Sequence, residues 1–150
     1  MTTDLGGVRI GVVEPKLLHP LRLRVLRPGQ SPSSVDHEYD YLAEAVHVAA
    51  VDSASDVVAC ATLYPEPTPD GRAAWRLRAM ATAPEVRGKG YGASTLRFGM
   101  RLARDRGAAL LWCNARSGAV WFYEHLGFVK MSDEFEIPPI GPHYVMEVEL

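Results

Sequence analysis

The chain has 150 residues and a mass of 16.5 kDa, and its 47% hydrophobic and 23% charged residues are typical of one ordinary folded domain over residues 1–150. The formal net charge of −2 supplies no overall attraction to nucleic acid or to an anionic membrane, so neither is expected as a partner. The longest apolar runs are too short to span a bilayer, which argues against a membrane-spanning helix.

The first part of the chain predicts one strand and two helices. Residues 8–13 are rich in Val and Ile and predict a strand. Residues 15–27 fit both a helical stripe and a strand-like alternation, but His19-Pro20 suits a helix start and Pro28-Gly29 a helix stop, which favours the helix. Residues 36–44 predict a second, short helix with Asp36 as its cap.

The middle of the chain predicts a hairpin and then a single strand. Residues 46–51 and 57–64 are β-rich and are separated by a turn-like segment, which is typical of a hairpin. After a loop with three prolines, residues 75–82 alternate and predict a strand. One face of this strand is expected to carry Trp75, Leu77, Ala79 and Ala81, and the other face Arg76, Arg78, Met80 and Thr82.

The next segment predicts a strand, a helix and a second strand. A glycine-rich turn after Pro84 leads into a helix that runs to Arg106, with Gly107 as its stop. Residues 108–113 form a near-continuous apolar run, as in a strand that is buried on both faces. Two parallel strands joined by this helix are therefore expected within residues 75–114.

The last part of the chain predicts a helix and two strands. Ser117 is expected to cap a helix that Gly127 ends. Residues 128–132 and 144–150 predict strands. The connection between them, residues 133–143, holds three prolines and predicts a rigid surface loop.

The two cysteines, Cys60 and Cys113, lie inside apolar runs and are interpreted as core residues. No metal-ligand spacing links them to each other or to the five histidines, so no metal site is predicted. Free thiols suit a reducing compartment, and residues 1–7 lack the basic start and apolar stretch of an export signal. A cytoplasmic location is therefore expected.

Residues 87–92 read Arg-Gly-Lys-Gly-Tyr-Gly and lie between the predicted strand 75–82 and the helix that follows. The first N–H groups of a helix lack intrahelical partners, and the helix dipole adds partial positive charge, so such a junction attracts anions. Glycines let the backbone approach phosphates closely, while Arg87 and Lys89 add full charges. The segment is therefore interpreted as a phosphate-binding loop rather than as a solvated turn.

Two common nucleotide-binding loops fit this segment poorly. A P-loop needs Ser or Thr after its Gly-Lys pair, and Gly90 follows Lys89 here. The pattern Gly88-x-Gly90-x-x-Ala93 does match the dinucleotide fingerprint. That fold also needs an acidic residue about 20 positions later, where this chain has Trp112-Cys113-Asn114. Neither loop is supported by its surroundings.

A third pattern agrees with both the segment and its surroundings. Arg87-x-x-Gly90-x-Gly92 resembles the coenzyme A signature Q/R-x-x-G-x-G/A of the GCN5-related N-acetyltransferase (GNAT) family. Residues 122–128, Phe-Tyr-Glu-His-Leu-Gly-Phe, resemble the family's F-Y-x-x-L-G-F segment and follow at a typical spacing. The similarity is specific over residues 75–130, and Gly141-Pro142-His143 resembles a C-terminal feature of some bacterial members.

The resemblance implies an α+β fold: a mixed, largely antiparallel sheet with helices on both faces, whose central strands 75–82 and 108–114 splay apart to admit the cofactor. It implies one N-acetyltransferase domain, residues 1–150, that transfers an acetyl group from acetyl-CoA to a primary amine by direct attack in a ternary complex. The acceptor is expected to be a small molecule or a peptide, and many members form homodimers. The alternative is a catalytically idle module that binds or senses acyl-CoA.

The same resemblance assigns the donor-binding residues. The backbone of Met80, Ala81 and Thr82 is expected to pair with the pantetheine arm, and one of these N–H groups to hold the developing oxyanion. Arg87 and Lys89 are expected to add affinity through their side chains. The diphosphate is expected to contact the backbone amides of Gly88, Lys89, Gly90, Tyr91, Gly92 and Ala93.

Tyr123 is the candidate general acid, because the thiolate that leaves the thioester needs a proton and a nearby phenol can supply it. Its place on the apolar face of a helix fits a core aromatic equally well, and the F-Y-x-x-L-G-F match favours the acid. Many family members carry Asn seven residues before this tyrosine, where this chain has Arg116. Either Asn114 substitutes for that Asn, or Arg116 reaches a phosphate.

The sequence shows no obvious general base for the acceptor amine. The two strands expected to splay contain no carboxylate, so the proton is expected to leave through water, with Glu66 or His143 as a relay. Arg76 and Arg78 share a strand face, and one of them, with Arg78 preferred, is a candidate for binding an acceptor carboxylate; the alternative is a solvated or ion-paired arginine. The acidic segment 36–40 is interpreted as a solvated helix face, with attraction of a cationic amine as the alternative.

Overall fold

A computed structural model describes residues 2–150. The strands in this range are β1 (Thr3–Leu5), β2 (Val8–Val12), β3 (Val46–Val51), β4 (Val57–Pro65), β5 (Trp75–Thr82), β6 (Leu110–Arg116), β7 (Val129–Lys130), β8 (Phe135–Ile137) and β9 (Gly141–Glu149). The α-helices are α1 (His19–Leu26), α2 (Tyr91–Asp105) and α3 (Val120–His125). Single 3₁₀ turns occupy Pro15–Leu18, Pro32–Val35, Glu38–Tyr41, Pro84–Val86 and Ser117–Ala119.

The strands form one sheet in the order β1-β2-β3-β4-β5-β6-β9-β7, and β8 also pairs with β9. The pairing of β5 with β6 is parallel, and the other pairings described are antiparallel. The parallel pair follows from the crossover through α2, because a helical connection returns the chain to the same end of the sheet. The predicted mixed, largely antiparallel sheet is confirmed.

The helices α1 and α2 pack on opposite faces of this sheet. Thr62 of β4 accepts a hydrogen bond from Arg22 of α1 at 2.8 Å. The next residue of β4, Leu63, faces Gly99 of α2, where an added Cβ would lie 2.8 Å from the leucine side chain. Successive strand residues point to opposite faces, so the two helices sandwich the sheet. Gly99 lets α2 approach β4 more closely than any side chain would allow.

A β-bulge interrupts β5 halfway along its length. Arg78 pairs with Thr62 of β4, and Ala81 pairs with Cys60, so two residues of β5 lie opposite the single residue between Cys60 and Thr62. Ala79 adopts a φ of 53°, which is rare for a residue with a side chain. The extra residue ends the simple alternation along the strand.

Because of the bulge, the side chains of β5 do not alternate between the two sheet faces as predicted. Leu77 pairs with Leu63 and Thr82 pairs with Ala59, so these residues share the sheet face that α2 covers. Ala81 lies on the other face, which α1 covers. The prediction that Ala81 shares a face with Leu77 is therefore wrong, because one inserted residue reverses the direction of every side chain after it.

Residues 36–44 do not form the predicted α-helix. They contain a single 3₁₀ turn, Glu38–Tyr41, whose N-cap is His37 rather than Asp36. Asp40 points inward, where its carboxylate binds Arg22, and His37 N–H donates to that same carboxylate at 3.3 Å. The hydrogen bonds of Asp40 with Arg22 and with the His37 N–H thus accompany the 3₁₀ turn that replaces the predicted helix.

The region after α2 also departs from the prediction in two places. Ser117 does not cap an α-helix: it begins a 3₁₀ turn, its hydroxyl donates to the Glu134 carboxylate at 2.8 Å, and α3 begins at Val120. Residues 133–143 are not simply a surface loop, because β8 forms within them and pairs with the start of β9. The 46–51 and 57–64 hairpin, the strand 75–82 and the stop at Gly107 are confirmed.

Cys60 and Cys113 are both free and buried, as predicted for core residues. Burial raises the pKa of each thiol to about 12, so both stay protonated at neutral pH. Within residues 2–150, no helix has the length and apolar character needed to cross a bilayer.

Candidate active site

The glycine-rich segment forms the turn between β5 and α2. Gly90 is the N-cap of α2 with a φ of 82°, and Gly88 has a φ of 84°, a left-handed conformation that side chains rarely adopt. Ser94 N–H makes the first helical hydrogen bond, to the Gly90 carbonyl at 3.0 Å. The N–H groups of the three residues between Gly90 and Ser94 therefore precede the helical ladder and are available to an anion.

Gly92 has a different role from Gly88 and Gly90. A Cβ at Gly88 or Gly90 would meet nothing within 4 Å, whereas a Cβ at Gly92 would lie 2.5 Å from the Thr82 hydroxyl oxygen and 3.4 Å from Met80 Cε. Gly92 thus lets the first turn of α2 pack directly on β5. The close packing fixes the position of the helix N-terminus relative to the strand.

The two central strands splay apart, as the fold predicted from the sequence requires. Cα partners link β5 and β6 only at Trp75 with Leu111 and at Arg76 with Trp112. Beyond Arg76 the edge of β5 that faces β6 has no strand partner among the described residues. The gap opens toward the end of β5 that leads into the glycine-rich turn.

A cavity of about 210 Å³ lies in this gap. Its lining includes seven of the candidate site residues named from the sequence: Arg76, Arg78, Met80, Asn114, Arg116, Tyr123 and His143. The remaining predicted residues do not line it: Glu66, Ala81, Thr82, Arg87, Gly88, Lys89, Gly90, Tyr91, Gly92 and Ala93. Met80 bridges the two regions, because it lines the cavity and also lies against Gly92 at the turn.

Tyr123 lies deep in the site on α3. Its side chain is buried, with Phe122 and Phe128 packed edge-on against its ring at centroid distances of 5.2 and 5.3 Å. Within residues 2–150, no group forms a hydrogen bond with the Tyr123 hydroxyl. Burial raises the pKa of Tyr123 well above its ordinary value, with the neighbouring Cys113 thiol adding to the effect. The phenol therefore keeps its proton at neutral pH and faces the cavity as a donor.

Asn114 and Arg116 occupy the end of β6 and line the same cavity. Arg116 donates from Nη2 to the Leu26 carbonyl at 3.3 Å, which ties the end of β6 to the end of α1. Burial and the positive charge of Arg27 lower the pKa of Arg116. Two like charges thus lie together at the cavity.

Of the two candidate relays, the structure brings only His143 to the cavity. Glu66 instead accepts a hydrogen bond from Arg76 at 2.7 Å, and this arginine lies over the Trp112 ring at 4.5 Å. His143 is buried and lies on β9 opposite Arg116. Its Nδ1 lies 2.7 Å from the Gly141 carbonyl oxygen, which can only accept, so Nδ1 carries the proton and Nε2 is left with its lone pair when the ring is neutral.

A buried ion pair beneath the site was not found from the sequence. Arg22 and Asp40 are fully buried and form two hydrogen bonds of 2.7 and 2.9 Å, and Arg22 also donates to Thr62. His47 lies 2.9 Å from the same threonine. The interpretation of segment 36–40 as a solvated face is therefore wrong for Asp40. A signal was present, since Arg22 occupies the apolar stripe formed by Leu18, Leu21 and Val25, and a charge in such a stripe needs a buried partner.

The strand splay, the N–H groups at the start of α2 that precede the helical ladder, and the buried phenol of Tyr123 lie around the open edge of β5. A sequence model of the GNAT acetyltransferase domain matches residues 43–130. The chain therefore belongs to the GNAT family and is an acetyltransferase.

Individual relatives agree with this assignment. The uncharacterized N-acetyltransferase YitI of Bacillus subtilis is 29% identical over 130 residues, which cover 85% of this chain and 87% of that protein. A GCN5-related N-acetyltransferase from Kribbella flavida superposes with a TM-score of 0.72 at 19% identity, covering 96% of this chain and 98% of that one. An aminoglycoside 6'-N-acetyltransferase complexed with coenzyme A superposes with a TM-score of 0.72 at 16% identity, covering 93% and 96%.

Proposed function

We propose that this protein transfers an acetyl group from acetyl-CoA to a primary amine by direct attack in a ternary complex. The observation that carries the proposal is the strand splay, which joins the glycine-rich turn to the cavity that holds Tyr123. The similarity to a coenzyme A-bound aminoglycoside acetyltransferase supports the donor. Residues 1–150 act as a single domain in this proposal.

The donor is held by backbone groups along β5 and α2. The pantetheine arm lies along the unpaired edge of β5 at Met80, Ala81 and Thr82, where it takes the place of a neighbouring strand. The diphosphate lies at the start of α2, against the amide groups of residues 88–93, with Arg87 and Lys89 adding charge. The Lys89 N–H already donates to the Val86 carbonyl at 3.4 Å, so the other amides of the turn contribute most of the contacts.

The reaction is a direct acyl transfer. The amine nitrogen attacks the thioester carbonyl carbon, a backbone N–H of β5 stabilises the oxyanion, and the carbon–sulfur bond breaks as the amide forms. The departing sulfur takes the phenolic proton of Tyr123, and the phenolate then regains a proton from the nitrogen of the new amide, directly or through water. The bulge at Ala79 supports this role for β5, because it re-aims the backbone beside the cavity.

His143 is proposed to accept the proton that the acceptor ammonium loses, directly or through one water. Replacement of His143 by Gln should lower kcat/KM for the acceptor by about 100-fold, because a positioned base typically contributes at least that factor. The loss should shrink as the pH approaches the pKa of the acceptor amine, since more acceptor then arrives without its proton. A rate loss that is constant with pH, or a matching rise in KM for acetyl-CoA, contradicts the assignment.

Donor binding is tested by blocking the glycine-rich turn. Acetyl-CoA should raise the melting temperature of the wild type, because a ligand that binds only the folded state stabilises it. Gly90→Trp should weaken acetyl-CoA binding by about 100-fold, since charge-assisted hydrogen bonds to the phosphates are lost. Gly107→Trp is the matched control: Gly107 has a φ of 95° and open space around it, but lies at the other end of α2. Equal loss in both variants would assign the effect to backbone strain.

Turnover is tested by release of free thiol from acetyl-CoA with a broad panel of primary amines. Steady release that depends on an amine supports the proposed transferase and excludes the idle binding module. Binding of acetyl-CoA without release for any amine class would refute the transfer reaction while leaving donor binding in place.

A further inference from the structure

The cavity between the splayed strands carries an excess of positive charge. Five guanidinium groups line it, and its lining contains no carboxylate from residues 2–150. The guanidinium groups belong to Arg22, Arg27, Arg76, Arg78 and Arg116. Two of them form ion pairs with carboxylates that lie outside the lining: Arg22 with Asp40 at 2.7 Å and Arg76 with Glu66 at 2.7 Å. These two ion pairs belong to the walls of the cavity.

The other three guanidinium groups have no carboxylate partner within residues 2–150. Arg27 and Arg116 donate to one and the same carbonyl oxygen, that of Leu26, at 2.9 and 3.3 Å. Arg78 lies over the ring of Tyr39 at 4.8 Å from its centroid. A cation held on a neutral carbonyl or an aromatic face keeps its full charge, so the three together attract an anion.

The remaining titratable groups of the cavity do not offset this charge. Burial raises the pKa of Tyr39 to about 12, so its phenol is neutral. Burial and the charge of Arg22 lower the pKa of His37, which stacks on Tyr39 at 4.8 Å, so this imidazole is neutral at pH 7. Burial raises the pKa of Tyr123 well above its ordinary value, so this phenol is neutral as well. Nothing in the lining supplies a negative charge to the three unpaired guanidinium groups, of which Arg27 and Arg78 are half-buried and Arg116 is exposed.

The donor phosphates are not the natural partners of these arginines. Residues 87–93, where the diphosphate is proposed to lie, do not line the cavity and bring their own cations in Arg87 and Lys89. The thioester end of the donor, which reaches the cavity along β5, carries no charge. The unpaired guanidinium groups therefore face the space left for the acceptor.

We propose that the acceptor is a small primary amine that carries a carboxylate, as in a free amino acid, and that Arg27, Arg78 and Arg116 bind this carboxylate. The inference rests on the proposed acetyl transfer and names its substrate class. Guanidinium forks match the two oxygens of a carboxylate, and the cavity is smaller than the roughly 300–1,000 Å³ of pockets that hold larger ligands. Polycationic amines are excluded by repulsion from the same three groups.

The test compares each amino acid with its own amide, and both with an anionic phosphate ester and a polycationic amine. Proteinogenic amino acids, their α-amides, O-phosphoethanolamine and a polyamine are each given to the protein with acetyl-CoA, and thiol release is measured. At least one amino acid should exceed its own amide by about 100-fold in kcat/KM, because one or two charge-assisted hydrogen bonds separate them. Preference for the phosphate ester, equal use of acid and amide, or preference for the polyamine would each overturn the carboxylate assignment.

Variants then locate the carboxylate site. Arg78→Gln and Arg27→Gln should each raise KM for the preferred amino acid by about 10- to 100-fold and leave KM for acetyl-CoA unchanged. Arg104→Gln is the matched control, because Arg104 is exposed near the end of α2 and does not line the cavity. With the amide as acceptor, Arg78→Gln and Arg27→Gln should each have the same kcat/KM as the wild type. A rise in KM for acetyl-CoA would place these arginines on the donor instead.

A binding measurement separates this inference from the proposed function. With coenzyme A present, thermal shift should detect N-acetylated amino acids but not their N-acetylated amides, whether or not any amine is turned over. If no amine causes thiol release, but the N-acetylated amino acids bind and their amides do not, the proposed acetyl transfer is refuted and the carboxylate site is supported. If acids and amides bind equally, the carboxylate site fails.

Discussion

Tyr123→Phe is expected to lower kcat for the acceptor amine by about 100- to 1,000-fold, because the leaving thiolate loses its positioned proton donor. The buried ring packs against Phe122 and Phe128, and no hydrogen bond from residues 2–150 engages the hydroxyl that the substitution removes. The packing should therefore survive, and KM for acetyl-CoA should stay within about twofold of the wild type.

The pH dependence distinguishes an acid from a core aromatic. Burial raises the pKa of Tyr123, so the wild-type phenol holds its proton throughout the neutral range and the wild-type rate should not fall there through its ionisation. The deficit of the Phe variant should be smaller with a thioester whose thiol is more acidic, since such a leaving group needs less protonation. Phe128→Leu, which alters the packing beneath the ring but removes no donor, is the control. Equal kcat in Tyr123→Phe and the wild type at every pH would refute the acid role.

The sequence located the glycine-rich turn and the helix that carries Tyr123 because both lie in short, contiguous segments. The turn at residues 87–92 needs only a strand before it and a helix after it, and local periodicity reveals both. Tyr123 lies on α3, whose inner face is apolar and whose end at His125 is followed by Gly127 with a φ of 92°. Such features depend on nearest neighbours along the chain, so no knowledge of tertiary packing was needed.

The parts that the sequence did not reveal depend on distant partners. The bulge at Ala79 is a mismatch in residue count between β4 and β5, and Ala gives no local signal for a positive φ. The strand β8 is three residues long and forms because it pairs with the start of β9. Glu66 looked available as a relay, but its partner Arg76 lies ten residues away on β5. The charge of the cavity likewise emerges only when β5, β6 and α1 converge.

Asp40→Asn is expected to destabilise the fold by about 3–5 kcal/mol, because it leaves the Arg22 guanidinium buried without its counter-charge. Both side chains are fully shielded from solvent, and Arg22 also donates to the Val35 carbonyl at 3.1 Å and to Thr62. Urea unfolding should show the loss as a lower midpoint with an unchanged slope. Asp105→Asn is the control, since Asp105 is exposed on α2 and its substitution should cost less than about 0.5 kcal/mol.

The pH dependence of stability should carry the same signature. Burial by itself raises the pKa of Asp40, but the hydrogen bonds and charge of Arg22 outweigh it, so the folded-state pKa lies below the ordinary value. A carboxylate with a depressed pKa stabilises the fold fully above its unfolded pKa of about 4, and this contribution is lost as the pH falls through the lower folded value. The gap in stability between wild type and Asp40→Asn should therefore be constant near neutrality and narrow in acid. A gap that widens in acid would contradict the ion pair.

The ion pair also links the fold to the cavity wall at Arg78, where the acceptor is proposed to bind. Asp40 anchors the segment that carries Tyr39, and Tyr39 in turn supports Arg78 at the cavity. Asp40→Asn should therefore raise KM for the acceptor even at temperatures where the variant is folded, while donor binding at α2 persists. The double variant Arg22→Met with Asp40→Leu removes both charges and should be more stable than either single change, because no unpaired charge is left. Recovered stability without recovered acceptor KM would show that Arg22 and Asp40 are retained for positioning Tyr39 rather than for stability.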